Sequence, residues 1–228
     1  MNEQSINQSI DQSTIATSKD LEMILVVKRG HLFPEGPWQG LKEICFDQYI
    51  GIIEQHKEFI PRGIAENDIA YKQIIPYLIF HHEDCYFLMQ RSATASEERL
   101  QNKYSLGIGG HIRQEDISGQ SLFDWARREF YEEVAYEGSV SVKPLGIIND
   151  DTNAVGQVHI GFVFLVEGMQ NNISVKSELK SGRLVLLEEC MQYNKYLESW
   201  SQMVLKCLLD KKYGTEPTKC CCNKSEIA

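Results

Sequence analysis

GGHIRQEDISGQSLFDWARREFYEEVAY, residues 109–136, is the stretch whose reading decides both fold and chemistry. Ser121 to Tyr136 reads as a charged helix, and within it Glu129, Glu132 and Glu133 lie three and four residues apart, on one face. Like charges so placed repel one another by roughly a few tenths of a kcal/mol per pair. Arg128, four residues before Glu132, offsets one of them. A divalent cation offsets them better, because carboxylate oxygens are the ligands that Mg²⁺ and Mn²⁺ prefer. An arbitrary E-x-x-E-E helix is most often a solvated acidic face. Gly109-Gly110 ahead of the helix shifts that weighing, since glycine lets the backbone turn tightly and bring a carbonyl to a metal or an amide to a phosphate.

Outward from this segment the periodicity switches repeatedly. Met23 to Val27 is strand-like, and Gln39 to Glu58 has the apolar spacing of an amphipathic helix. Ile74 to Phe80 and Cys85 to Gln90, joined by His82-Glu83-Asp84, suggest a hairpin. Tyr104 to Ile108, Val140 to Ile148, Val158 to Val166 and Arg183 to Leu187 read as further strands, and Tyr196 to Leu209 as a closing helix. Strands outnumber helices without regular alternation, which predicts a mixed sheet between helices rather than a doubly wound parallel fold. Met1 to Asp20 reads as a disordered leader, residues 21–213 as one domain with an N-terminal helical extension, and Gly214 to Ala228 as a flexible tail.

Composition excludes several classes. The 228 residues are 43% hydrophobic and 24% charged, ordinary for a soluble globular chain. The longest apolar runs, MILVV and FVFLV, are too short to span a bilayer. A net charge of −9 argues against a nucleic-acid polymer or an anionic membrane as partner. Among seven cysteines, Cys45, Cys85, Cys190 and Cys207 sit alone in apolar patterns and Cys220 to Cys222 adjoin in the tail, with no zinc-ligand spacing. Free thiols and the lack of a basic-then-apolar leader predict a reducing cytoplasm.

Residues 109–136 resemble the Nudix box, G-x5-E-x7-R-E-U-x-E-E-x-G-U with U aliphatic, of the MutT-type pyrophosphohydrolases. REFYEEVAY, from Arg128 to Tyr136, carries the match behind Gly110: Arg128, Glu129, Glu132 and Glu133 fit the core and Phe130 its apolar position. A Gln90-Arg91 pair closes the strand before the box, and the loops Gly146 to Asp151 and Ser177-Glu178-Leu179 follow it. The resemblance covers about Tyr71 to Cys190, and Pro61 to Pro76 looks like the predicted MutT-type phosphoesterases of bacteria. There are three departures. Gly110 precedes Arg128 by 18 positions, four more than in the pattern. Counted back from Arg128, the pattern's first Glu falls on Gln120, with Glu115 as the loop acid able to substitute. Ala135 and Tyr136 replace the final Gly and aliphatic residue.

The resemblance implies a Nudix fold, a mixed β-sheet in an α/β/α sandwich of the α+β or α/β class. It implies hydrolysis of a nucleoside diphosphate linked to another group, with Mg²⁺ or Mn²⁺ as cofactor and a small-molecule nucleotide or phosphate ester as partner; a homodimer is compatible with it. On this reading Glu129 and Glu133 hold the metal, Glu132 directly or through water, with the Gly109 carbonyl as an extra ligand. Arg128 orients a box carboxylate. Glu133 or Glu178 supplies the base, a solvated loop Glu being the alternative for Glu178. Arg91, Gly110 and His111 are the substrate-side candidates, the alternatives for Arg91 and His111 being a surface charge and a structural loop residue. Asp150-Asp151 reads as a turn and His159 as a packed core histidine. Two competing functions are a Nudix-like module that senses a nucleotide or binds a partner without turnover, and an isomerase of the isopentenyl-diphosphate type, for which no cysteine has the expected Cys-His context.

Overall fold

Long apolar runs place the centre of the molecule. The computed structural model describes residues 17–91, 103–116, 121–176 and 179–214. In chain order they form strand Met23–Lys28 (β1), helix Arg29–Leu32 (α1), strand Gly40–Lys42 (β2), helix Phe46–His56 (α2), strand Lys57–Pro61 (β3) and helix Arg62–Ala65 (α3). The hairpin Tyr71–His82 (β4) and Cys85–Arg91 (β5) follows, then Tyr104–Ser105 (β6), Gly107–Gly109 (β7) and helix Leu122–Glu133 (α4). Next come Val134–Ala135 (β8), Val140–Asn149 (β9), helix Ala154–Val158 (α5) and His159–Gly168 (β10). Ser174–Val175 (β11), Leu179–Leu186 (β12), helix Leu187–Cys190 (α6) and helix Ser199–Tyr213 (α7) are the last elements among the described residues.

The main sheet runs β12-β5-β4-β10-β9-β2. β4 and β10 pair in parallel, from His159 opposite Gln73 to Glu167 opposite His81, while the other ladders are antiparallel. The sheet is therefore mixed, as the irregular alternation of elements predicts. β4 is buried from Lys72 to Phe80, which accounts for its nearly unbroken apolar run: a central strand covered on both faces needs no alternation. β1 and β7 share its other edge, β1 opposite Lys72 and Gln73 and β7 opposite Tyr77 to Ile79.

Each face of the sheet carries helices. On one, Trp125, Ala126 and Phe130 of α4 and Phe46 and Ile53 of α2 pack with Ile74, Leu78, Phe80, Phe162 and Phe164. On the other, Val204, Leu205 and Leu208 of α7 pack with Tyr77, Ile79, Leu88 and Val163. This face also holds a buried carboxylate: Glu198 Oε1 accepts from the hydroxyls of Tyr77 (2.5 Å), Ser105 (2.7 Å) and Ser201 (3.3 Å), so the charge lies in a nest of donors. The result is the α/β/α sandwich. No helix among the described residues is long and apolar enough to cross a membrane.

Several boundaries differ from the sequence reading. The helix expected from Gln39 starts at Phe46, because Gly40 to Lys42 instead add an edge strand to β9. The helix expected to reach Tyr136 ends at Glu133, and Val134-Ala135 turn extended to pair with Ser174-Val175. Val158 ends α5 rather than opening β10, and α7 starts at Ser199 after a 3-10 stretch, Met191–Tyr196. Lys19–Leu21 form a 3-10 turn at the edge of the expected leader; residues 1–16 and the Cys220–Cys222 tail lie outside the described residues.

Candidate active site

A capping box starts the carboxylate helix: the Ser121 hydroxyl accepts from the Asp124 amide and the Asp124 carboxylate accepts from the Ser121 amide. Burial of Trp125, Ala126 and Phe130, the last stacked on Phe80 at 5.5 Å, fixes the rotation of α4 about its axis. That rotation lays Glu129 on the glycine turn at the end of β7. A Cβ added to Gly110 would stand 2.1 Å from Glu129 Oε1, so the carboxylate rests in space that only glycine leaves open. Burial, followed by the repulsion of Glu133 and Glu132, pushes the Glu129 carboxyl up to about 7 against the pull of Arg128 and Arg113. Gly110→Ala should leave thermal stability within about 1 kcal/mol, because the displaced atom is the far end of a flexible side chain, while turnover should fall at least tenfold. Melting and steady-state rates, measured together, check this.

Arg128 is placed to orient Glu132, its Nη1 donating to Oε1 at 3.0 Å. Its Nη2 lies 3.0 Å from Asp116 Oδ1. Asp116 also receives the Arg113 amide at 3.1 Å, Arg113 Nε at 3.2 Å and Trp125 Nε1 at 3.4 Å. Burial works to raise this carboxyl, but the Arg113 and Trp125 hydrogen bonds hold it below the usual range. Asp116 rather than Glu115 is therefore the loop acid that faces Arg128 among the described residues. Counted forward from Gly110 it occupies the pattern's Glu position, which puts the four extra residues after it. The Glu115 side chain is 65% exposed and pairs with Arg113 at 3.6 Å, and Gln120 lies outside the described residues. Ala135 has no left-handed backbone, so loss of the last box glycine costs nothing there. Tyr136 is buried against Phe80 and Phe130.

The structure separates the other candidates. Gly109 is the exposed last residue of β7, beside Gly110. The His111 ring turns to Gln73 Oε1 (2.7 Å) and His159 Nε2 (3.3 Å), to the side of β4 away from α4, and burial holds it well below the usual imidazole range. His159, at the first position of β10, is likewise taken down to about 4 by burial. Arg91 ends β5; its side chain and Glu178 lie outside the described residues. Among the described residues no three His, Cys, Asp or Glu side chains converge into a ready metal cage. Glu132 is engaged by Arg128.

The sequence reading did not single out Lys72. It is fully buried, and its ammonium donates to Asp151 Oδ1 (2.9 Å), Gly156 O (2.6 Å) and His159 O (3.2 Å). Arg29 makes a two-pronged ion pair with the same aspartate, and Asn149 donates to it at 3.1 Å. Asp150, also buried, accepts from Gln39, Thr152 and Asn153. Asp150-Asp151 is thus the turn expected, and also the point where the β9–β10 connection is fastened to β4.

No family model matches the chain. Protein YmaB of Bacillus subtilis (strain 168) is 36% identical over 204 residues, covering 82% of this chain and 97% of that protein. The crystal structure of Tm1382, assigned as a Nudix hydrolase, superposes with a TM-score of 0.69 at 30% identity, covering 83% of this chain and 100% of Tm1382. The MutT protein from Methanosarcina mazei Go1 aligns at 16% identity and a TM-score of 0.48 over 62% of this chain and 96% of that one. The likeness to Tm1382 over its whole length agrees with the carboxylate helix set against a glycine turn: the chain belongs to the Nudix hydrolase family.

Proposed function

We propose that the chain hydrolyses the diphosphate bond of a nucleoside diphosphate linked to another group, with Mg²⁺ or Mn²⁺ as cofactor and water attacking phosphorus. The observation that carries this reading is Glu129: a largely buried carboxylate against a glycine backbone, pushed up to about 7 by burial and by the two acids beside it. Hard oxygen donors of this kind suit a small divalent cation. When bound, the cation supplies charge neutralisation of the diphosphate oxygens and a more acidic water. Glu129 and Glu133 would hold it with the Gly109 carbonyl, and Glu132 through water. Arg128, anchored by Asp116, keeps Glu132 in place. Glu133, on the last turn of α4, is the residue we assign to take the proton from water, with Glu178 as the other candidate base. The Gly110 backbone and Arg91 would face the phosphates.

The experiment is product analysis by mass spectrometry after incubating the chain with pooled nucleotide sugars, dinucleotides, ADP-ribose and oxidised nucleoside triphosphates, with and without Mg²⁺ or Mn²⁺. Metal-dependent cleavage is expected. Ligand binding without any product would overturn the reading in favour of a sensing module. Binding of the cation requires Glu129 ionised, so Mn²⁺ affinity should rise with pH through about 7 and level off above it. Calorimetric titration of the metal alone at pH 6, 7 and 8 measures this; a flat profile contradicts the ligand role of Glu129.

A further inference from the structure

We propose that Gln73 and His159 are positioning residues for the reaction, acting through His111 to fix the Gly109–Gly110 turn against the Glu129 carboxylate. The inference rests on the reading of Glu129 as part of the site. Two consecutive glycines carry no side chain to hold themselves, so their placement comes from what flanks them. Upstream, Gly109 pairs with Tyr77 on β4; downstream, Ile112 O accepts from the Leu25 amide at 2.8 Å. Between these anchors the His111 side chain is the tether.

Its fastening is specific. Gln73 and His159 face each other across the parallel β4–β10 pair. His159 Nδ1 lies 2.7 Å from the Val155 carbonyl, which can only accept, so Nδ1 carries the proton and Nε2 presents a lone pair to His111. His111 Nε2 then donates to Gln73 Oε1 and faces His159 Nε2. One imidazole thus ties the glycine turn to two central strands and, through Val155, to α5. Gln73 is fully buried, and its Nε2 has no partner among the described residues. An orphaned amide nitrogen in the sheet costs stability; its retention fits a side chain kept for where its oxygen points.

That orphan makes a clean test. Gln73→Met removes the acceptor for His111 and the unpaired nitrogen together, so the two effects on stability oppose each other. His159→Phe keeps a ring of similar size and removes both nitrogens. Each variant of the full chain should melt near wild type, lose about tenfold in kcat with KM within about twofold, and shift the Gly110 amide signal in the ¹H–¹⁵N spectrum. Unchanged kcat in stably folded variants, or a Gly110 amide that does not move in either, overturns the proposal. The amide signal needs neither substrate nor metal. It therefore tests the tether even if wild type turns over nothing, an outcome that would instead remove the proposed function.

Discussion

Glu133→Gln should lower turnover by about 10²- to 10⁴-fold, the range for loss of a positioned base, while leaving the fold intact. Glu133 closes α4 beside Glu129; its backbone carbonyl accepts from the Lys176 amide at 3.1 Å, and the Lys176 ammonium reaches Tyr131 O at 2.6 Å. Replacing the carboxylate by an amide keeps the volume and removes one of the two neighbours that push Glu129 upward. The Glu129 carboxyl should then titrate nearer the usual range. Glu132→Gln should cost less, about ten- to a hundredfold, because that carboxylate answers Arg128. Single-turnover rates with saturating Mg²⁺ separate the two; a Glu133→Gln enzyme within fivefold of wild type would move the base to Glu178.

The largest effect on stability is expected at Asp151. Asp151→Ala strands the Lys72 ammonium in the interior with two carbonyls and without its paired carboxylate, which should cost about 3–5 kcal/mol. For a domain of this size that lowers Tm by roughly 6–20 °C. Adding Lys72→Met should recover most of the loss, since an apolar side chain of similar length needs no partner. The pH dependence has two windows. Burial would raise the Asp151 carboxyl, but hydrogen bonds from Arg29, Lys72 and Asn149 outweigh it and take it to about 2. Its contribution is thus complete above the ordinary aspartate value and is lost as pH falls toward 2. Lys72 is taken down to about 8, burial outweighing the Asp151 partner. Above 8 the unfolded chain holds a proton that the folded chain has released, so stability should rise with pH from 8 to about 10.5, and Lys72→Met should flatten that rise. Urea unfolding across both windows tests the two signs.

How much of this was legible depended on whether a residue's partner was local. The three glutamates could be placed on one face because helical spacing alone determines it, and β4 and β5 because a hairpin is set by its own turn. Asp116 was missed because the box had been counted from Arg128 backward; only its contacts with Arg113, Trp125 and Arg128 show that the extra residues follow it. Lys72 was invisible for another reason. Within YKQIIPY it looks like the solvated end of an apolar strand, and its counter-charge is 79 positions away. Gly40 to Lys42 was absorbed into a helical pattern because Leu41, Ile44 and Cys45 mimic helical spacing, while the partner that makes them a strand lies on β9. His111 was legible as a residue near the site, but the direction of its ring is set by Gln73 and His159, both remote in sequence.

The parallel ladder of β4 and β10 also governs the order in which the enzyme is assembled. Its two strands, 71–82 and 159–168, enclose the entire carboxylate helix in the intervening chain. During synthesis Glu129, Glu132 and Glu133 emerge before the strand that completes the sheet beside them exists. Closing so distant a pair is entropically slow compared with forming a helix or a hairpin. A nascent chain cut short before His159 therefore carries every box carboxylate and none of the Phe162–Phe164 surface or the His159 tether. The support of the box carboxylates thus arrives late, together with the global fold.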